Sequence, residues 1–328
     1  MENVSAGQSA VPGTGPIGGP PIKKRTLKQR FVKNFKEYKW MYLMLIPGML
    51  YYLCFKYLPM AGLVIAFKDY NIMKGIFGSP WVGFKHFEVI FSSHEFLILL
   101  RNTIVISVFK IIFGMVPDIL LALILNEIGS RWFKRTIQTI SYMPHFLSWV
   151  IIYGLALAFL APADGLINEM LKFFGREPVD FLTSKSWFRP ILYITEIWKE
   201  VGFGAIIYLA ALTSIDPSLY EAAVVDGASR WRKIWHITLP GIRSVIILLL
   251  IIRMGNILDA GFGQVYIFLN ARVYEVGDII DTWVFRRGLE EMQFSFAAAV
   301  GFFKSVVGLI MVLGANRLAK KFDESGIW

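Results

Sequence analysis

The sequence predicts an all-α, polytopic membrane protein with six transmembrane helices and both termini in the cytoplasm. Three observations carry this prediction: a mean hydropathy of +0.54, apolar residues gathered in long blocks, and an uneven distribution of Lys and Arg between the connecting segments. Soluble domains are about 45–50% apolar, with Gly in that count, whereas this chain of 328 residues is 55% hydrophobic without Gly. An excess concentrated in blocks indicates membrane spans rather than one large core.

Six segments are long enough to span a bilayer, since a transmembrane helix needs about 20 apolar residues. Several of them contain Pro or Gly, which membrane helices tolerate when neighbouring groups satisfy the freed backbone. The predicted spans lie at 41–66, 97–125, 136–160, 190–213, 244–268 and 295–315.

The segments outside the spans differ from one another in composition. Residues 1–22 are rich in Gly and Pro and have no apolar centre, so they predict a disordered tail rather than a cleavable signal. Residues 23–40 are basic with an apolar residue every three or four positions, which favours an interfacial amphipathic helix, although its first half could equally be a solvated basic tail. The predicted membrane domain is 41–320, with a short cytoplasmic tail at 321–328.

Lys and Arg set the orientation of the spans. With the N-terminus inside, the inner segments carry 18 of these residues and the outer loops carry 10, which places both termini in the cytoplasm. Asp and Glu number 8 inside and 12 outside, so the inner face is near +10 and the outer face near −2. The net charge of +10 is therefore explained by membrane topology, and no nucleic-acid partner is needed.

No pattern in the chain predicts catalysis. The only cysteine, Cys54, cannot form an internal disulfide, and the four histidines have no metal-ligand spacing. The chain also lacks the Gly-x-x-x-x-Gly-Lys-Ser/Thr sequence that holds nucleotide phosphates. We therefore predict no catalytic residue, no metal site and no cofactor on this chain.

The connector at 216–241, between the fourth and fifth spans, is rich in helix-start and helix-stop residues. Asp216 suits an N-cap with Pro217 at the first helical position, and Gly227 suits a left-handed stop. Ser229 can cap a second short helix that ends at Leu239-Pro240. The sequence predicts a helix-turn-helix on the cytoplasmic side, which either packs on its own helices as an ordinary loop or docks in the groove of a partner.

The connector also resembles a known motif. Glu221-Ala222-Ala223, Gly227 and Ile237-Thr238-Leu239-Pro240 are spaced as in the "EAA loop" of binding-protein-dependent ABC importer permeases, apart from Ser244 where many members have Pro. "IPGMLYYLCFKYLPMAGLVIAFKDY", "GSPWVGFKHF", "MGNILDAGFGQVYIF" and "FSFAAAVGFFKSVVGLI" are similar to the polysaccharide and oligosaccharide branch of the maltose-type permeases. The resemblance covers about residues 27–320.

This resemblance implies a type I ABC importer permease fold and a mode of action. The connector would be a coupling helix docked on a cytoplasmic ATPase, which binds the ATP and Mg that this chain does not. Implied partners are a second homologous permease, two ATPase subunits, an extracytoplasmic substrate-binding protein and an oligosaccharide substrate, at a bacterial plasma membrane. The implied docking residues are Glu221, Ala222, Ala223, Asp226, Gly227, Trp231, Trp235, Leu239 and Pro240.

Ionisable groups inside spans are costly, so they usually face the bundle interior. Lys110, Asp118 and Lys304 are expected to form structural ion pairs between helices, and Lys199 to pair with Glu196 or Glu200 on its own helix. The fifth span offers a substrate path, because Asn256, Asp259 and Gly263 recur at i, i+3 and i+7.

Gln264 lies beside this polar face, and Trp149 with Tyr153 at i and i+4 could supply an aromatic face for sugar C–H groups. Helix-packing polarity and interfacial aromatics explain the same residues as well. The candidate path residues are Trp149, Tyr153, Asn256, Asp259 and Gln264.

Two other functions remain open from the sequence. An ion-driven secondary sugar transporter would take up substrate unaided and usually shows an inverted repeat, which is not evident here. A non-transporting membrane scaffold or sensor would show no substrate flux. The identity, length and charge of the sugar cannot be read from the sequence.

Overall fold

The structure of the protein is a computed structural model that describes residues 37–321. The predicted tails and the predicted interfacial helix 23–40 lie outside these residues, except for 37–40 and Lys321. The described residues divide into two compact units, one ending at Ala61 and the other beginning at Gly62. Within the described part of the chain, β-structure is limited to an isolated bridge between Lys68 and Trp81, which confirms the all-α class.

Thirteen helices of the described residues are labelled α1 to α13, and further helical segments of three to seven residues join several of them. The helices are α1 (Lys39–Tyr52), α2 (Lys85–Ser92), α3 (His94–Glu127), α4 (Arg131–Tyr142), α5 (Trp149–Leu160), α6 (Leu166–Phe173), α7 (Lys185–Leu212), α8 (Pro217–Val225), α9 (Arg230–Lys233), α10 (Arg243–Gly255), α11 (Phe262–Phe268), α12 (Ile280–Phe285) and α13 (Phe294–Lys321).

Helices of membrane-spanning length occur in two forms among residues 37–321. Three are long and apolar enough by themselves: Lys39–Phe67, His94–Glu127 and Phe294–Lys321. Three more qualify only as bent pairs, with bends of 103° between α4 and α5, 75° between α7 and α8, and 56° between Arg230–Gly241 and α10. The structure thus has three helices that could span a membrane, or up to six if each bent pair is one span.

Two predicted spans are interrupted, although apolar composition continues through both. The segment 136–160 bends because a 3₁₀ turn at Met143–Phe146 contains Pro144, after which the Ser148 side chain accepts a hydrogen bond from the Ile151 N–H (3.4 Å) and starts α5. The segment 244–268 is not one helix, since α10 ends at Gly255 and α11 begins after Gly261.

Apolar clusters hold the second unit together. One cluster joins α5, α7 and α11 around Phe188, Leu192 and Phe268, and another joins α2, α3, α12 and α13 around Phe96 and Trp283. A third cluster, built from Ala122, Ala205, Tyr208, Leu212 and Ile242, lies where α3 and α7 meet the connector that precedes α10. The connector is therefore packed on the helices that it joins.

Glycine allows α7 to approach its neighbours closely. A Cβ on Gly202 would lie 2.0 Å from the Ser141 carbonyl oxygen in α4, and one on Gly204 would lie 2.4 Å from the Asp118 carboxylate in α3. Small residues at helix contacts are the usual means by which membrane helices pack tightly. These two approaches place polar groups of α3 and α4 directly against α7.

Candidate functional site

The connector begins with a capped helix. The Asp216 side chain accepts a hydrogen bond from the Ser218 N–H (2.9 Å), and Pro217 occupies the first turn of α8. The backbone N–H and then the hydroxyl of Ser218 hold the pKa of Asp216 below its ordinary value. The start of α8 is therefore fixed by the cap that the sequence predicts.

Gly227 ends α8 in a Schellman motif, the double-bonded helix stop. Its φ is +70°, a conformation that L-residues with side chains rarely adopt. The Gly227 N–H donates to the Val224 oxygen (3.0 Å), and the Ala228 N–H donates to the Ala223 oxygen (2.8 Å). The predicted left-handed stop is confirmed.

The second arm of the connector is longer than the sequence predicts. Ser229 caps α9 by accepting a hydrogen bond from the Arg232 N–H (3.4 Å), as expected. The helical path then continues through a π turn at Ile234–Thr238 and a short helix at Leu239–Gly241. Pro240 therefore does not end this arm, because it lies at the start of the last short helix, where its missing N–H costs little.

A hydrogen bond ties the two arms of the connector together. The Tyr220 hydroxyl lies 3.1 Å from the Thr238 hydroxyl, which is buried. At the base of the second arm, Gly241 passes so close to Ile215 that a Cβ would lie 2.7 Å from its Cδ1 atom. The connector is thus a braced structure with one side against the bundle.

The other side of the connector is exposed. Trp231 and Trp235 expose 73% and 64% of their surface, which is unusual for the largest apolar side chain. Among the implied docking residues, those that are exposed are Glu221, Ala222, Asp226, Gly227, Trp231, Trp235 and Pro240, while Ala223 and Leu239 are half-buried. Seven of the nine implied docking residues are therefore accessible to a partner.

A cavity of about 570 Å³ lies in the second unit, between α3, α7 and α10. Apolar residues of the three helices form much of its wall. The polar side chains that line it are Ser107, Lys110, Asp118, Glu196, Glu200, Arg253, Asn256 and Asp259. Lys110 and Asp118, two of the ionisable groups predicted to face the interior, therefore line one cavity.

One ion pair crosses the cavity wall from α10 to α3. The Arg253 Nη2 atom lies 2.8 Å from an Asp118 carboxylate oxygen, and Asp118 is only 3% exposed. Gly204 leaves the space that this carboxylate fills, and a Cβ on Gly114 would lie 3.1 Å from the guanidinium. The predicted interhelical role of Asp118 is confirmed.

A second cluster centres on Lys110. Its ammonium lies 3.2 Å from the Glu196 carboxylate, donates to the Ala260 carbonyl oxygen (2.9 Å) and donates to the Gln264 amide oxygen. Glu196 thus pairs with Lys110 on α3 and not with Lys199 on its own helix. Lys304 makes the third expected pair, with Asp281.

A third cluster lies at the bend between α4 and α5, and the sequence predicted only one of its contacts, the pair of Lys199 with Glu200. The His145 imidazole lies 2.7 Å from the Glu200 carboxylate and stacks on Phe203 at 4.0 Å between ring centroids. Lys199 donates to the His145 carbonyl oxygen and lies 3.3 Å from Glu200. The sequence did not predict the role of His145, because Pro144 beside it indicates a bend but no partner.

The predicted path residues separate into two groups. Asn256 and Asp259 are exposed and line the cavity, although they lie in the turn after α10 and not on one continuous helix face. Gln264 is fully buried, and its amide nitrogen donates to the Leu192 carbonyl and the Thr195 hydroxyl (both 2.8 Å). Its polar atoms are therefore committed to the fold.

The predicted aromatic face does not line the cavity. Trp149 and Tyr153 pack against the apolar cluster of α5, α7 and α11, where the Tyr153 ring lies 5.0 Å from that of Phe268. Trp149 lies under the Lys199 ammonium, 5.6 Å from its ring centroid. The aromatic side chain that does line the cavity is Phe203.

Comparisons with known proteins agree with the sequence and the fold. Residues 110–324 match the family described as "Binding-protein-dependent transport system inner membrane component". The chain is 51% identical over 308 residues to the polygalacturonan/rhamnogalacturonan transport system permease protein YteP of Bacillus subtilis (strain 168), which covers 94% of this chain and 96% of that protein.

Two crystal structures of bacterial alginate ABC transporters contain a similar chain. In the complex with an alginate pentasaccharide-bound periplasmic protein, the TM-score is 0.84 at 43% identity, over 91% of this chain and 100% of that chain. In the transporter described as importing the acidic polysaccharide alginate, the TM-score is 0.82 at 43% identity, over 89% and 99%. The likeness therefore extends over nearly the whole chain.

Proposed function

We propose that the cavity of this chain is half of a path for acidic oligosaccharides. The premise is that the chain belongs to the family of binding-protein-dependent transport system inner membrane components. The chain is a multi-pass membrane permease of the ABC class that imports sugars or polysaccharide fragments, and it is not itself an enzyme. The observation that carries the proposal is a cavity lined in part by charged and amide side chains, whose wall includes α10, the helix that follows the exposed connector. Neither an ion-driven transporter nor a membrane scaffold is supported by the comparisons.

The exposed side of the connector is proposed as the surface that docks on the ATPase subunit. Helices that present small and apolar residues to a groove are a common docking mode, and the adjacent Ala222 and Ala223 permit a close approach. Glu221 and Asp226 add acidic groups that would meet basic groups of the partner. In this proposal, ATP and Mg bind on the partner, and the connector passes the resulting movement to α10.

The assembly and orientation follow from the same reasoning. A second homologous permease would complete the cavity, two ATPase subunits would bind the two connectors, and an extracytoplasmic protein would deliver the substrate. The excess of Lys and Arg on the connector side supports a cytoplasmic location for the connector and for both termini. The domain 41–320 would then be the unit that crosses the membrane.

The proposed cargo is acidic because the similar proteins are described as acting on acidic polymers. Polygalacturonan and alginate are both built from sugars that carry carboxylates. The cavity has two basic groups, Lys110 and Arg253, and each is already paired with a carboxylate of the chain. A path must bind its substrate weakly enough to release it, and paired cations would let an acidic sugar pass without trapping it.

The cargo is tested with the complete transporter and its binding protein in vesicles. We expect ATP-dependent uptake of labelled oligogalacturonate, and unlabelled oligogalacturonate or alginate oligomers should compete about 10-fold better than carboxyl-reduced oligomers of equal length. Equal competition by the neutral oligomers would contradict an acidic cargo, while leaving a sugar permease intact.

Asn256 and Asp259 are the side chains of this chain best placed to contact the sugar. Replacing Asn256 with alanine removes a hydrogen-bonding amide from the cavity wall, and we expect the substrate concentration for half-maximal uptake to rise by about 5- to 30-fold, as for the loss of a hydrogen bond to a bound ligand. The measurement is ATP-dependent uptake at several oligogalacturonate concentrations in vesicles.

Two further variants separate substrate contact from backbone support. Asp259 accepts a hydrogen bond from the Gly261 N–H (3.1 Å). Asp259→Asn retains this bond and removes the charge, so a change in the substrate concentration for half-maximal uptake reports on the sugar and not on the backbone. Ser92→Ala is the control, because this exposed hydroxyl bonds only its own helix, at Val89 (3.3 Å), and does not line the cavity. Uptake by Asn256→Ala that matches Ser92→Ala would refute a substrate contact there.

A further inference from the structure

The interruption between α10 and α11 places irregular backbone at the end of the cavity. The chain turns within 256–261, where the Asp259 N–H donates to the Asn256 oxygen (2.8 Å) and Gly261 has a φ of +82°. Because α10 starts beside the connector and ends at this turn, the turn marks the end of the cavity that is farther from the connector. Irregular backbone within a membrane protein must find its hydrogen-bond partners inside the protein.

The Lys110 ammonium supplies one of these partners. It donates to the carbonyl oxygen of Ala260 (2.9 Å), a residue that is fully buried, and the lysine side chain itself is only 10% exposed. Helical carbonyls normally accept from an N–H four residues later, and the turn removes that arrangement here. A buried ammonium on α3 therefore stabilises the turn between α10 and α11.

The same ammonium joins three elements at one atom. An ammonium has three donors, and its three acceptors are Ala260 in the turn, Gln264 on α11 and Glu196 on α7. Since Gln264 also donates to Leu192 and Thr195 of α7, the turn and α11 are held against α7 as well as α3. With its three donors used, Lys110 has none left for a substrate in this conformation.

Gly261 provides the space for this contact. A Cβ at this position would lie 2.7 Å from the Lys110 nitrogen, and its positive φ disfavours a side chain for a separate reason. The absence of a side chain here thus serves both the turn and the approach of the ammonium.

We propose that Lys110 is a positioning residue that holds the turn 256–261 closed over the end of the cavity farther from the connector. Opening that end requires the ammonium to release Ala260 and Gln264, while the pair with Glu196 can persist on the other two helices. The proposal rests on the proposed translocation path but not on the identity of the cargo. It predicts that loss of the lysine exposes the cavity from this side without ATP.

The test uses the complete transporter in membrane vesicles of both orientations. Cys54 is the only cysteine of the chain, so Cys54→Ser provides a background without a reactive thiol on this chain. Ile252→Cys is then added as the reporter, because Ile252 lines the cavity and exposes 48% of its surface. The rate of labelling by a membrane-impermeant maleimide is measured without ATP from each side. We expect Lys110→Met to raise the rate from the side opposite the connector by about 10-fold or more, since two hydrogen bonds from a charged group are lost.

Three further variants decide between a local role and general damage. Lys304→Met removes a lysine that also lines a cavity beside the turn, but its ammonium pairs with Asp281 and not with Ala260 or Gln264, and this variant should leave the rate unchanged. Lys110→Arg retains the charge and the donors on a bulkier planar group, so its rate should fall between those of Lys110→Met and the background. Gln264→Met, which leaves the pair of Lys110 with Glu196 in place, should raise the rate in the same direction and decides the matter if Lys110→Met does not assemble.

An unchanged rate in assembled Lys110→Met, or an equal rise in Lys304→Met, would overturn the proposal. Because labelling requires no transport, a failure of the acidic cargo would not affect this result. Conversely, a transporter that carries oligogalacturonate normally but shows no change on labelling would reject only the positioning role of Lys110.

Discussion

Replacing Gly227 with valine is expected to abolish substrate-stimulated ATP hydrolysis while the chain still inserts and assembles. The φ of +70° at this position costs an L-residue about 1–2 kcal/mol, and more for a β-branched side chain. A Cβ there would meet nothing within 4 Å, so the substitution acts through the backbone and not through a clash. The turn would open, and α8 and the second arm would no longer present one docking surface.

The measurement is ATPase activity of the reconstituted transporter with and without loaded binding protein. Gly227→Asn is the matched control, because asparagine tolerates the left-handed region better than other residues with side chains, and it should retain most of the stimulation. Assembly is checked by recovering the ATPase subunits with a tag on this chain. Normal stimulation in Gly227→Val would remove the docking role of the connector.

Arg253→Met is expected to destabilise the transporter strongly, because it leaves the Asp118 carboxylate buried without its partner. Asp118 is 3% exposed and receives the guanidinium at 2.8 Å. Breaking a buried pair from one side costs about 3–5 kcal/mol, whereas replacing both partners with apolar groups is often neutral. Asp118→Leu combined with Arg253→Met should therefore recover most of the stability that the single substitution loses.

Thermal unfolding of the purified complex measures this effect. Arg272→Met is the control, since its pair with Asp180 (3.5 Å) is exposed and is expected to contribute less than about 1 kcal/mol. Additive losses in the double variant, or equal losses for Arg272→Met and Arg253→Met, would show that the Asp118 pair does not carry the predicted energy.

Local signals explain why the connector could be predicted in detail. The caps at Asp216 and Ser229 and the turn at Gly227 depend on residues within a few positions of one another, and the structure has all three. Pro240 was misread because a π turn upstream changes the register of the helix before the proline. That turn has no clear sequence signature.

The cavity was predictable only in part because its contacts join distant positions. Charged residues within apolar segments identified Lys110 and Asp118 as interior groups, but Asp118 and Arg253 are 135 residues apart, and no local pattern pairs them. The turn at 256–261 was concealed because apolar composition continues through 268, and hydropathy does not distinguish one helix from two. For that reason the predicted face of Asn256, Asp259 and Gly263, with Gln264 beside it, was drawn on a helix that the structure interrupts.

The bond between Tyr220 and Thr238 has a mechanical consequence for the chain. Because it ties the two arms, a force applied to α8 moves the second arm with it, and this arm meets α10 at a bend of 56°. Ile242, at the bend, is fully buried in the cluster with Tyr208 and Leu212, so it is a natural fulcrum. Arg253 lies eleven residues further along α10, about 16 Å away at 1.5 Å per residue. A tilt of about 10° about Ile242 would therefore displace the Arg253 Cα by about 3 Å. This displacement is close to the 2.8 Å that separates Arg253 from Asp118 in their ion pair.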